Sequence, residues 1–251
     1  MAKHGTGWLP DIPDFRDWRY EAPREVVTNL PPAVDLRAHD APIFDQGELG
    51  SCTANAIAGA LVFDEIRQHR RPTMRSRLQL YFAERELEGT IDSDAGAMIR
   101  DGIKVCAKQG VCPESSWPYV IERFARRPPA RCFKAAEAFH ALTYRRVSQT
   151  NADLKSAIAS GFNVVFGFTV YESFESDAVA RTGEVPMPGR NEGVVGGHAV
   201  RAVGYDEVGL IPANSWSAAW GQHGYFRIPW AYVLDNDLDD DFWMISTVGR
   251  P

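Results

Sequence analysis

The feature that most constrains this chain is a change of hydrophobic period part-way along it. From Ser51 to about Gln109 the apolar residues recur at helical spacing, as in Ala56, Ile57, Ala60, Leu61, Phe63 and Ile66. The segments SRLQLYFAERELEG and AGAMIRDGIKVCAKQG each finish on a glycine placed to cap a helix. A Pro- and Arg-rich connector, 113–131, follows, and NADLKSAIASG then reads as a short helix with Asn151 as its cap. Beyond it β signals dominate: NVVFGFTV (163–170), HAVRAVGY (198–205), GLIPANSW (209–216), GYFRIP (224–229) and DFWMISTV (241–248). A helical half followed by a β half predicts an α+β protein with an interface between its layers. At 251 residues and 45% hydrophobic, the chain can bury one large core or two smaller ones.

Residues 7–33 are rich in Pro, Asp and aromatics without a sustained period, which predicts extended backbone. No apolar run of signal-peptide length opens the chain and none reaches 18 residues, so a cytoplasmic location is the default expectation. A net charge of −6 gives no electrostatic reason to expect nucleic acid or membrane as a partner. The basic groups Arg67, Arg70, Arg71 and Arg123, Arg126, Arg127 read as solvated helix faces or loops. No Cys/His spacing suggests a metal, and no cofactor is expected. Four cysteines are too few for a disulfide-stapled scaffold. The expected state is free buried Cys106, Cys112 and Cys132 beside Cys52; if a pair bridges, it is Cys112 with Cys132.

Cys52 follows Gly50-Ser51 at the head of a predicted helix, where orphan N–H groups and the helix dipole favour a thiolate. Such a position, with a neighbouring imidazolium, pulls a thiol from about 8.5 to roughly 3.5–7.5. A buried inert cysteine explains the position equally well unless a base is near. Of six histidines, His4, His69, His140 and His223 sit in unremarkable contexts. His198, in GVVGGHAVRAVGY, opens a strand after two glycines. Sixteen residues on, Asn214 ends a strand ahead of Trp216 and Trp220, so its amide oxygen can orient an imidazole while indoles shield the bond. Taken singly, these are a structural histidine and an Asn-Ser turn; together they name a Cys–His–Asn system.

Three blocks carry a family resemblance. QGELGSCTANA, HAVRAVGYDE and NSWSAAWGQHGYFRI resemble, in that order, the cysteine, histidine and asparagine blocks of the papain-like cysteine peptidases, with 146 residues from Cys52 to His198. The likeness runs from PPAVDLR to the C-terminus, and GWLPDIPDFRDWRY is most similar to a small bacterial branch. The resemblance implies a two-lobe papain-like fold: a helical left lobe, about 45–130, and a β-barrel-like right lobe, about 131–251. Together they make a catalytic domain over 32–251, with a cleft between the lobes and an extended segment over 1–31. It implies Cys52 as nucleophile, His198 as base and acid, Asn214 as its orienting residue and Gln46 as oxyanion donor. Trp216 would cover the His–Asn pair, the Gly96 backbone would pair with an extended peptide, and an apolar subsite would fall near Phe166, Phe168 and Gly197. The substrate would be a peptide or protein. Acyl transfer or deamidation by the same triad, or a silent peptide-binding module, remain alternatives. Two positions depart from the family pattern: Leu49 replaces a disulfide cysteine and Thr53 the tryptophan after the nucleophile. Residues 7–30 would either lie near the cleft and restrict substrate entry or strap the back of the lobes.

Overall fold

Small side chains account for the central helix. The computed structural model describes residues 4–139 and 142–247, so His140 and the end of the last expected strand lie outside the described residues. In chain order the elements are β1 (Trp8–Leu9), α1 (Arg24–Thr28), β2 (Val34–Asp35), α2 (Cys52–Arg67), α3 (Arg77–Glu88), β3 (Ala97–Met98), α4 (Ile99–Lys108), α5 (Ala130–Ala136), β4 (Leu142–Arg146), α6 (Asn151–Ala159), β5 (Val164–Tyr171), α7 (Asp177–Thr182), β6 (Val194–Tyr205), β7 (Gly209–Ala213), β8 (Ile228–Pro229), α8 (Trp230–Val233) and β9 (Asp239–Thr247). Residues Cys52 to Glu65 of α2 are all buried. Ala54, Ala56, Ala58, Gly59 and Ala60 let this helix lie close to its neighbours on every side. At Gly59 a Cβ would overlap the Arg201 side chain of β6.

The caps are mostly those the sequence announces. Ser76 Oγ accepts from Gln79 N at 3.1 Å at the head of α3, and Gly89 ends that helix with φ 75°. Two local expectations are corrected. Thr150, not Asn151, caps α6, because it is extended and its hydroxyl accepts from Asp153 N at 3.1 Å. The stretch expected to be wholly extended also contains the five-residue α1.

Seven strands form one antiparallel sheet in the order β4-β9-β5-β6-β7-β8, with β2 on the flank of β6. No pairing joins β4 to β8 among the described residues, so the expected barrel-like lobe is an open sheet. Alternation along the strands divides two cores. Val165 and Ala199 face α2, α3 and α4 with Trp243 and Ile245. Phe166, Phe168, Val200 and Ala202 face the opposite side with Phe174, Trp216 and Phe226. Each such fully buried large side chain is worth about 1.5–3 kcal/mol.

Polar ties join helix to sheet: Asp64 of α2 accepts from Thr247 N at 2.6 Å, and buried Arg201 pairs with Asp40. The free-thiol expectation fails at one pair. Cys112 and Cys132 are disulfide-bonded, because α5 packs onto the loop after α4 and brings their Cα atoms to 5.5 Å. Cys52 and Cys106 are free and buried. Among the described residues no helix is long and apolar enough to cross a membrane, and no cluster of three His, Cys, Asp or Glu could hold a metal.

Candidate active site

Cys52 is the first residue of α2. Ser51 precedes it as N-cap without a capping side-chain bond; its hydroxyl instead shares a 2.6 Å bond with Tyr119. His198 lies on β6, opposite Phe168 of β5. Its Nε2 is 2.8 Å from Asn214 Oδ1, and that oxygen also accepts from Ser215 N at 2.8 Å. With Nε2 engaged, Nδ1 is the free ring nitrogen, buried and without a partner. The backbone N–H of Ala199, next to His198, lies near enough to the Cys52 sulfur to favour its thiolate, so helix and strand meet at the thiol. Trp216 packs 4.9 Å from the imidazole, and Phe168 meets it edge-on at 5.7 Å. Gln46 is buried; its Oε1 accepts from Ser215 Oγ at 2.5 Å, and its Nε2 donates to Leu49 O at 2.8 Å.

Burial overrides the helix dipole at the thiol. Cys52 is pushed up to about 12, mainly by desolvation, against backbone N–H groups of Ala199, Gly7 and Thr53 that favour the thiolate. His198 is lowered to about 4, again by desolvation, with Asn214 raising it and His4 lowering it. The depressed thiol expected from the sequence is therefore not found in this closed site. Thiol and imidazole are both neutral here.

The cause is the N-terminal segment, which fills the cleft. Gln46 Nε2 donates to Gly5 O at 3.0 Å, Gly5 N donates to Gly47 O at 3.1 Å, and Gly7 N donates to Gly197 O at 2.8 Å. Ala97 N donates to Gly7 O at 2.8 Å, and β1 continues parallel to β3. Gly96, with φ 78°, and Gly197 are the two positions where a Cβ would overlap the seated backbone. The Trp8 indole lies flat on Gly167, and His4 stacks on Trp216 at 4.6 Å and 9°. The structure thus brings Cys52, His198, Asn214, Gln46, Gly96, Gly197 and Trp216 to one cleft. Phe168 stands apart: its ring meets the imidazole edge-on and packs against Phe174, Phe226 and Tyr232 in the second core.

The sequence profile of the papain family cysteine proteases matches residues 30–233. The chain belongs to that family. An uncharacterised peptidase C1-like protein of Acanthamoeba polyphaga mimivirus is 48% identical over 239 residues, spanning 91% of this chain and 74% of the viral protein. Xylellain, a cysteine protease from Xylella fastidiosa, superposes with a TM-score of 0.91 at 41% identity, covering 99% of this chain and 98% of that one. Procathepsin L 3 of the Tenebrio molitor larval midgut shares the fold, with a TM-score of 0.70 at 18% identity over 98% of this chain and 76% of that one. These similarities reach a virus as well as a bacterium and assign the chain to neither.

This papain-family cysteine peptidase, a thiol-dependent hydrolase, holds site residues that sequence reasoning passed over. His4, unremarkable in sequence, lies against Trp216. Ser215 steadies Gln46, and Trp8 fills the cleft. The one available signal was Gly5-Thr6-Gly7: at both glycines a Cβ would overlap the backbone of residues 48–50, which only a chain lying on another backbone requires.

Proposed function

We propose that Cys52, His198 and Asn214 hydrolyse peptide bonds through an acyl-enzyme, and that the N-terminal strap holds the enzyme shut. The observation that carries the first part is the 2.8 Å His198–Asn214 bond beside a thiol at a helix N-terminus. Nδ1 takes the thiol proton, and the sulfur attacks the carbonyl carbon. Gln46 Nε2 and the Cys52 N–H donate to the oxygen that becomes negative, a contribution of about 2.7–4 kcal/mol per donor in comparable sites. The tetrahedral intermediate collapses as His198 protonates the departing amine. Water, deprotonated by His198, then attacks the thioester and releases a carboxylic acid and the thiol.

The strap is no substrate for this machinery. Its Gly7 N–H donates to Gly197 O and its Gly7 carbonyl accepts from Ala97 N, so both hydrogen-bonding groups of that residue are held by the walls of the cleft. Its Gly5 carbonyl takes the Gln46 amide that the reaction needs. Residues 1–31 are accordingly a regulatory segment and residues 32–251 the catalytic domain.

Intact mass after treatment with a peptidyl epoxide tests both parts. A single adduct is expected on the wild type, slow to form, absent in Cys52→Ala and fast once residues 1–31 are removed. No adduct in any form sinks the peptidase reading; equal rates with and without the segment sink its inhibitory role. Peptide turnover in the presence of an amine acceptor separates hydrolysis from acyl transfer by product mass.

A further inference from the structure

The strap is pinned to the sheet by two carboxylates that the chemistry at Cys52 does not use. Asp11 of the strap and Asp241 of β9 both have fully buried side chains. Asp241 Oδ2 accepts from the strap twice, from Asp11 N at 2.7 Å and from Trp8 Nε1 at 3.1 Å. Asp11 answers by accepting from the body: Arg100 N at 2.9 Å on Oδ1 and Trp243 Nε1 at 2.9 Å on Oδ2. The backbone at Asp241 is held in the left-handed region, φ 60°, so its carboxylate is aimed into this cluster at a conformational cost.

The charges around the pair do not balance. From α4, Arg100 is committed to Asp17 of the strap and to Ile12 O. From β4, Arg146 is shared among Asp241 at 2.8 Å, Asp240 at 2.8 Å and Asp11 at 3.5 Å. The Asp14–Arg16 and Asp101–Lys104 pairs at the rim satisfy themselves. Four carboxylates, Asp11, Asp17, Asp240 and Asp241, therefore face two guanidinium groups. Two buried like charges short of a counter-ion hold a proton between them.

We propose that Asp11 and Asp241 form a proton-operated latch: a proton taken up by the pair seats the strap, and its loss as pH rises lets the strap leave the cleft. The inference rests on the reading of the strap as the enzyme's plug. The sign follows from the environments. Seated, Asp11 is raised to about 7 by burial and by Asp241, and Asp241 is raised by burial. Released into water, Asp11 returns to the ordinary carboxylate range. The closed state then binds the extra proton between roughly pH 4 and 7, and for one proton the closed-to-open ratio falls by up to tenfold per pH unit across that window. Acid holds the enzyme shut and neutral to alkaline solution opens it.

Hydrogen exchange of the N-terminal peptide covering residues 4–11, followed by mass spectrometry on the full chain from pH 5.5 to 8.5 and corrected for intrinsic exchange rates, tests this directly. The wild type should show corrected exchange rising at least tenfold over that range. Asp11→Asn removes the titration while keeping one of the two accepting oxygens, so its exchange, whatever its absolute rate, should be flat with pH. Asp241→Asn should do the same and serves where Asp11→Asn does not fold, as a thermal melt reports. A flat wild-type profile, or an unchanged slope in the variant that folds, overturns the latch. Because exchange reads the strap and not turnover, failure of epoxide labelling at Cys52 would sink the peptidase reading and leave the latch standing.

Discussion

The proposed catalytic constellation and the strap that covers it are built in opposite ways. Cys52 and His198 sit on a fully buried helix and the central stretch of a twelve-residue strand, each held by regular backbone bonding on every side. The strap has two residues of strand, and the rest of its grip comes from scattered backbone bonds, such as Gly5 to Gly47 and Gly7 to Gly197, and from side chains reaching across: Trp8 and Asp11 to Asp241, and Arg100 to Asp17. A group that must keep one geometry is placed on rigid elements. A group that must leave is held by contacts that can be lost a few at a time, which puts it at the low-stability end of the molecule.

Gln46 belongs to both regions, so its removal makes the largest break in this contrast. Gln46→Ala is expected to lower kcat for a peptide substrate by roughly 10^2–10^3-fold, the usual cost of an oxyanion donor. It also frees the Gly5 carbonyl. Epoxide labelling, which does not build the same oxyanion, should therefore fall much less than turnover; equal losses would make Gln46 merely structural.

Trp8→Ala acts on the strap alone. Truncating a buried tryptophan costs about 3–5 kcal/mol, and here that loss falls on the closed state, so Cys52 labelling should accelerate by about 10^2-fold or more. The melting transition of the main body should move little. An unchanged labelling rate would show that the rest of the strap keeps the cleft shut without the indole. Gly167→Ala should produce a smaller change in the same direction, on the order of 1–3 kcal/mol, because its Cβ would overlap the indole. In a Trp8→Ala background it should be silent. An added effect there would place the Gly167 contact in the fold and not in the plug.

Much of the contrast between regions is also a contrast in legibility. The proposed Cys–His–Asn group could be read because such chemistry demands fixed residue types in local motifs: Gly-Ser-Cys at a helix head, Gly-Gly-His on a strand, Asn-Ser-Trp after one. The helical and β halves could be read because burial imposes periods of 3.6 and 2. The strap could not, since most of its partners are backbone atoms and distant carboxylates, and Asp11 and Asp241 are 230 residues apart. Phe168 is harder to place for a related reason: a phenylalanine two pleats from a cleft and one behind a histidine look alike in sequence, and only the pairing of β5 with β6 sets it against His198. The Cys112–Cys132 bond needed the docking of α5, which no local pattern encodes.

One further effect lies in the body alone and separates its pH response from the strap's. Glu84 of α3 is wholly buried, accepts from Thr53 Oγ1 at 2.9 Å, and is raised to about 8, chiefly by desolvation. A carboxyl whose folded value lies above its unfolded one makes folding take up a proton. Its contribution is most favourable below the ordinary carboxylate range and is lost as pH climbs toward 8. Glu84→Gln keeps an oxygen for Thr53 and removes the titration. Its melting temperature should lie near or slightly below that of the wild type at pH 5 and above it at pH 9, where the gain is up to about 4 kcal/mol. Because the groups that act on Glu84 are Thr53, Glu88, Arg85 and Asp101, none of them in the strap, the crossover should persist after residues 1–31 are removed. A crossover that vanished with the strap would instead tie the pH response of the whole molecule to its N-terminal latch.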